Sequence, residues 1–178
     1  MKFNSEQPKI LVVGSSSIDL VLNTEKYPQA NETVMAVRSE TFFGGKGANQ
    51  AVGTARLGAN TMFIGCVGMD PYGQQILRNL VDQNVNVGFV HEDIDVATGT
   101  AYVTASGGKN AIVVVPSANH RLQPEHLENP DKFFSTADLV LVQLEIPMNV
   151  VETVYEKCKK YGTKLGIYAA PAHKIAPE

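Results

Sequence analysis

Asp19, Lys46, Asn49 and Glu145 are the residues of this chain best suited to chemistry, and each falls at a predicted strand end or strand-to-helix junction. Carboxylates accept hydrogen bonds from hydroxyls, whereas an ammonium and a carboxamide donate them. Such a mixture suits a neutral polyol better than a phosphate, which calls for donors only. The lysine sits in FFGGKGANQA (Phe42–Ala51), whose glycines at first suggest a phosphate cradle. Both nucleotide fingerprints fail. A Walker loop needs Ser or Thr after its lysine, but Gly47 follows Lys46, and the Gly14-Ser15-Ser16-Ser17 turn lacks GxGxxG. No His/Cys grouping along the chain proposes a metal, and no GxSxG nucleophile elbow occurs.

Each candidate also has a plainer reading. Asp19 can stabilise a turn, Glu145 can cap the helix after Ile146-Pro147, and Lys46 can be a solvated lysine. The glycines alone need mean only a tight turn. What joins the four residues is placement, because ligands of open α/β sheets gather at the carboxyl ends of strands.

The surrounding pattern supplies those strands. Ile10–Val13, Thr61–Val67, Leu139–Leu144 and Lys164–Tyr168 are apolar runs of the type buried on both faces, and Val85–Val90 reads as another strand. Helices alternate with them. Ala48, Ala51, Val52 and Ala55 make a small apolar face that stops near Gly58. Ile76, Leu77, Leu80 and Val81 make a second helix after a Gly68–Gly73 loop, and Val150 to Cys158 a third that ends at Gly162. This alternation predicts an α/β fold with a largely parallel sheet. Two extended regions, about 20–43 and 98–115, interrupt it and read as an antiparallel side-sheet. The second is a hairpin around Ser106–Asn110.

The bulk properties exclude several classes. With 178 residues, 44% hydrophobic and 19% charged, the chain fits one soluble domain. A formal net charge of −3 gives no reason to expect nucleic acid or an anionic membrane as a partner. Cys66 and Cys158 fall in apolar segments without CxxC spacing, as expected of reduced core residues in a cytoplasmic protein. The N-terminal MKFNSEQPK has no apolar signal core, and no run reaches the length of a membrane span.

GGKGANQAVGTARLGA (Gly44–Ala59) followed by FIGCVGMDPYGQQI (Phe63–Ile76) resembles the N-terminal signature of the PfkB-type sugar kinases, in their ribokinase-like branch. The likeness continues through VVGSSSIDLVLN, TGTAYV, PSAN at Pro116–Asn119, LVQLEIP and APA, covering nearly the whole chain. It implies a ribokinase-like fold with helices on both sheet faces and a small β lid. It also implies transfer of the ATP γ-phosphate to a sugar, a pentose such as ribose, with magnesium and a possible monovalent cation. On the same basis Asp19, Gly44, Gly45, Lys46, Asn49 and Glu145 hold sugar hydroxyls, while Ala101, Val103 and Val114 touch the sugar from the lid. The lid often builds a homodimer in that family.

The sequence departs from the family at three places. Ser17 stands where the family has Asn beside the first turn and is expected still to bind a sugar hydroxyl, with shorter reach, and Tyr168-Ala169 replaces the Asn before its Pro-Ala-Pro-Ala. The GAGD-type loop carrying the family's catalytic base is not among these residues, nor are its adenine and cation segments. The expectation is a single incomplete domain over 1–178 that lacks the C-terminal part of the fold, with no catalytic residue and no kinase activity in isolation. Two other readings stay open: a non-catalytic sugar-binding or interaction module, and a kinase for another sugar or a nucleoside. A fold cut near Tyr168 also predicts a raw sheet edge, with self-association, disorder near the end or a missing partner segment.

Overall fold

The computed structural model describes residues 7–172, so the N-terminal MKFNSE and the last residues after Ala172 lie outside the description. The run at Ile10 becomes β1 (Lys9–Val13), the centre of a parallel sheet with β4 (Asn60–Ile64) and β6 (Val85–Asn86) on one side and β10 (Leu139–Gln143) and β11 (Leu165–Tyr168) on the other. Side chains alternate across a strand, so a continuous apolar run needs cover on both faces. Ile10 and Val12 pack with Phe63 against α1 (Lys46–Arg56) and α2 (Pro71–Asp82). Leu11 and Val13 pack with Val140 and Val142 against α3 (Asp131–Thr136) and α4 (Met148–Tyr161).

The second sheet has four strands in the order β3-β2-β8-β9: β2 (Ser17–Thr24), β3 (Ala36–Gly44), β8 (Thr100–Ser106) and β9 (Lys109–Val115). Each hairpin is antiparallel, as expected. The two hairpins join through a parallel β2–β8 pair that no sequence signal revealed. The β8–β9 turn is tighter than the five-residue loop expected, because Ser106 pairs with Lys109 across Gly107 and Gly108 at φ 56 and 75. That is the twist-matched hairpin turn that glycine permits.

Three other local expectations change. Thr61–Val67 is not one strand: the chain bends at Gly65, where a Cβ would meet the Phe63 ring at 2.6 Å, and resumes as β5 (Cys66–Gly68) beside β7 (His91–Asp93). Val85–Val90 pairs only at Val85–Asn86 and then turns, with the Val90 amide bonded to the Val87 carbonyl. Helix α2 starts inside the expected loop, at Pro71. Asp70 is its N-cap, accepting the Gly73 amide at 2.8 Å, and proline at the first helical position needs no hydrogen-bond partner.

Candidate functional site

The small face of α1 allows the helix to approach the β1 end closely. A Cβ on Gly47 would lie 2.7 Å from both the Gly14 carbonyl carbon and the Ser15 nitrogen. Gly45, at φ +88, makes the turn from β3 into the helix, a left-handed conformation that side-chain-bearing residues disfavour. This contact brings the start of α1, the Ser15–Ser17 turn and the end of β10 to one edge beneath the second sheet.

A cavity of about 690 Å³ opens there, lined by Ser17, Asp19, Gly45, Lys46, Asn49 and Glu145 among others. Three separate segments thus deliver the four expected polar residues to one place. Gly44 does not line it; it ends β3 opposite Ser17 and leaves room for the Asp19 carboxylate, whose Oδ1 would be 2.2 Å from a Cβ there. Asp19 lies not in the turn after β1 but in β2, in register with Phe42 and Ala101, and Ala101 faces Val114. Of the expected lid contacts, Ala101 and Val114 line the cavity. Val103 shares their face one row further out, and its partner Ile112 lines the cavity instead. The sequence reading also missed Ser15, Asn119, His120 and Leu144. The PSAN stretch was the available signal for Asn119.

The electrostatics assign different work to the two carboxylates. Both oxygens of Glu145 are committed. Oε1 pairs with the Lys46 ammonium at 3.0 Å, while Oε2 accepts the Ser15 hydroxyl at 2.6 Å and the Lys46 amide at 3.1 Å. Glu145 therefore caps α1, which has no side-chain cap of its own, rather than the helix that follows it in sequence. Burial pushes the Glu145 carboxyl up, but these three donors outweigh it and hold the group below its usual value. Asp19 accepts the Ser17 hydroxyl on Oδ1 at 2.8 Å and lines the cavity. Ser17, which also lines the cavity, donates its hydroxyl proton to Asp19. Tyr168, in β11, is 54% exposed and does not line the cavity.

These residues do not fit a phosphate. At the start of α1 the Lys46 amide is taken by Glu145, the Ala48 amide by the Ser15 carbonyl and the Asn49 amide by the Gly45 carbonyl. The place an anion would take at this helix start is filled by the protein's own carboxylate. A second cavity, about 240 Å³ at the opposite end of the sheet by Lys9, Asn60 and Phe133, contains none of the candidate residues.

The expectation that no metal-ligating group forms needs one correction. The β5–β7 pairing brings ligand atoms of Cys66, His91 and Asp93 within 4.8 Å of one another, a juxtaposition their sequence spacing hides. Asp93 is already committed there, with Oδ2 on Arg121 at 3.1 Å and Oδ1 on the amides of Asp95 and Val96. Burial, and then Asp93, pushes the Cys66 thiol up to about 12. A guanidinium beside the carboxylate occupies the role of the cation. Cys66 and Cys158 are both buried and unbridged, as expected.

Comparisons with known proteins address the family and the fold. The family model for pfkB family carbohydrate kinases matches residues 7–175. The chain is 40% identical over 169 residues to a ribokinase of Bacillus subtilis, covering 95% of this chain and 58% of that protein. It is 32% identical over 165 residues to a deoxyribokinase of Salmonella typhi, covering 92% and 54%. Its fold is similar to a ribokinase of Arabidopsis thaliana complexed with ribose and ATP, with a TM-score of 0.83 and 34% identity over 90% of this chain and 53% of that one. The chain thus spans little more than half the length of the relatives it matches.

Proposed function

The chain belongs to the pfkB family of carbohydrate kinases, and from that premise we propose that it is the acceptor-binding part of a ribokinase-like cytoplasmic kinase. The complete enzyme transfers the γ-phosphate of ATP to a pentose, ribose first. The observation that carries this reading is one cavity lined both by polar Asp19, Lys46 and Asn49 and by apolar Ala101, Ile112 and Val114, with Asp19 beside Ala101 and Val114 on one face of the second sheet. A sugar presents hydroxyls on its rim and C–H groups on its faces, and that pairing answers both. In our reading the Asp19 carboxylate accepts from sugar hydroxyls, the Asn49 carboxamide donates to them, and Lys46, held by Glu145, supplies a fixed positive charge at the rim.

ATP with magnesium would supply the phosphoryl group. Glu145 already takes the Lys46 amide and ammonium that an anion would use, and the sequence carries no Gly-x-Gly-Asp loop. The donor site, the base and any monovalent-cation site are assigned to segments other than these. Among the described residues no helix is long and apolar enough to cross a membrane, and the formal net charge of −3 favours no nucleic acid.

Calorimetric titration of the purified chain with ribose, without ATP, tests the reading. Saturable binding weakened by Asp19→Ala and Asn49→Ala supports it, and no binding of any pentose refutes it. ATP-dependent turnover of ribose by the 178-residue chain would refute the assignment of the donor site elsewhere. One observation favours a second acceptor. Ser17 takes one lone pair of Asp19 Oδ1, and a deoxyribokinase is among the relatives, which together suit a deoxypentose. A 2-deoxyribose arm in the same titration decides between them.

A further inference from the structure

The second sheet joins the main layer where β2 leaves at Ser17, β3 returns at Gly44, β8 leaves at Thr100 and β9 returns at Val115. Three of these junctions converge on Asn119, a buried side chain only 5% exposed. Its Oδ1 accepts the Ser16 amide at 2.8 Å, and its Nδ2 donates to the Ser16 carbonyl, also at 2.8 Å. A carboxamide that pairs with both main-chain groups of one residue acts as a neighbouring strand would. It fixes that peptide in position and in rotation.

The other junctions close on the same group. The Asn119 amide bonds the Pro116 carbonyl at 3.0 Å, directly after β9, and the Ala118 amide bonds the Ala97 carbonyl at 3.0 Å, just before β8. A Cβ on Gly99 would lie 2.3 Å from Asn119 Nδ2, and the Gly99 carbonyl accepts the Ile18 amide. Ser117, two residues upstream, holds φ at 47, a conformation that non-glycine residues keep only where surrounding contacts enforce it. Ser16 stands between the two serines that serve the site. Ser15 holds Glu145, and Ser17 holds Asp19.

We propose that Asn119 is a positioning residue for the acceptor site. By clamping the Ser16 peptide to the base of the lid, it sets Ser15 against Glu145 and Ser17 against Asp19 together. This inference rests on the sugar-binding reading above, and its test separates the two.

Removing the clamp by Asn119→Ala is expected to weaken ribose affinity about tenfold, the equivalent of one or two lost hydrogen bonds. Val154→Ala, in the buried face of α4, lowers stability without touching the site and is expected to keep affinity within about twofold. In the ligand-free chain, hydrogen exchange should rise at Ser16, Ile18 and the base of β8 in the Asn119→Ala protein, while β1 and β10 keep their protection. Gly99→Ala reaches the same clamp by pushing on Nδ2 and should reproduce both signatures, which keeps the test open if Asn119→Ala does not fold. The proposal is overturned if the clamp variants bind ribose as well as Val154→Ala does, or if exchange rises uniformly over the chain. If the unsubstituted chain binds no sugar, the function proposed above fails, and the exchange pattern alone still decides for or against the clamp.

Discussion

Replacing Glu145 tests the division of labour between the two carboxylates. Glu145 takes three donors from two other segments: the Ser15 hydroxyl, the Lys46 amide and the Lys46 ammonium. Loss of a helix cap costs about 1 kcal/mol. A charge-assisted hydrogen bond to a hydroxyl adds about 1.5 kcal/mol. The ion pair adds little, because the Lys46 side chain is 35% exposed and screened, so about 0.5 kcal/mol is its share. Glu145→Ala should therefore destabilise the chain by about 3 kcal/mol, lowering the melting temperature by about 6–12 °C. Glu145→Gln keeps an acceptor and the shape, and should cost about half as much. The folded-state carboxyl lies below its usual 4.5, so its stabilisation is complete above that pH and disappears as pH falls through the lowered folded value. The gap between wild type and Glu145→Gln in urea denaturation should thus be widest near neutrality and close as pH falls below 4.5 through the lowered folded value. A Glu145→Ala protein within about 0.5 kcal/mol of wild type at neutral pH, less than a single cap is worth, would refute the capping role. A Glu145→Gln gap unchanged on acidification would refute the electrostatic part.

The other predictions address packing, acid stability and assembly. Gly47→Ala should destabilise by about 1–3 kcal/mol because its Cβ meets backbone at 2.7 Å, whereas Gly53→Ala, with nothing within 4 Å, should gain about 0.5–1 kcal/mol in the same denaturant melts. Equal effects at the two glycines would show that helix propensity, not close approach, governs α1. Asp131 ties α3 to α4 through Lys157 at 2.5 Å and through Tyr161, and these bonds, with Lys160 nearby, hold its carboxyl down at about 2. Its contribution is present above the ordinary 3.8 and lost as pH falls towards 2. Asp131→Asn should therefore lower neutral stability by about 0.5–1 kcal/mol and flatten the acid limb of the stability curve. The lid leaves Tyr102 and Val113 exposed at 48% and 65% on the face away from the cavity, and we propose a second copy of this chain as their partner. Val113→Glu should shift the sedimentation of a dimer to that of a monomer, and a wild-type monomer at high concentration would refute the proposal.

Much of the architecture can be read from the sequence because its signals are local. Continuous apolar runs at Ile10 and Leu139 demand cover on both faces, and the small face of α1 demands close approach. Glycine after Tyr161 stops α4 in the left-handed conformation. The same locality explains the errors. The split at Gly65 depends on the Phe63 ring, and the short β6 depends on where β4 offers an edge. The start of α2 at Pro71 was legible from Asp70 as a cap, and was missed because the glycines on either side read as a loop.

For the site, residue types and junction positions determined which side chains meet. Glu145 follows a strand of the parallel sheet, whereas Asp19 in β2 and Lys46 and Asn49 after β3 reach the same edge because the second sheet joins the main layer there. What each does there was decided only by contacts across 99, 103 and 130 residues: Glu145 on the Lys46 amide, Asn119 on Ser16, Ser15 on Glu145. A hydrogen bond is short and directional, and its partner is chosen by the packing of whole elements. No spacing along the chain encodes that choice. FFGGKGANQA announces a tight strand-to-helix turn on its own, but that its helix end is filled by the protein's own carboxylate, leaving the lid side of the cavity for a neutral ligand, is a property of the folded molecule alone.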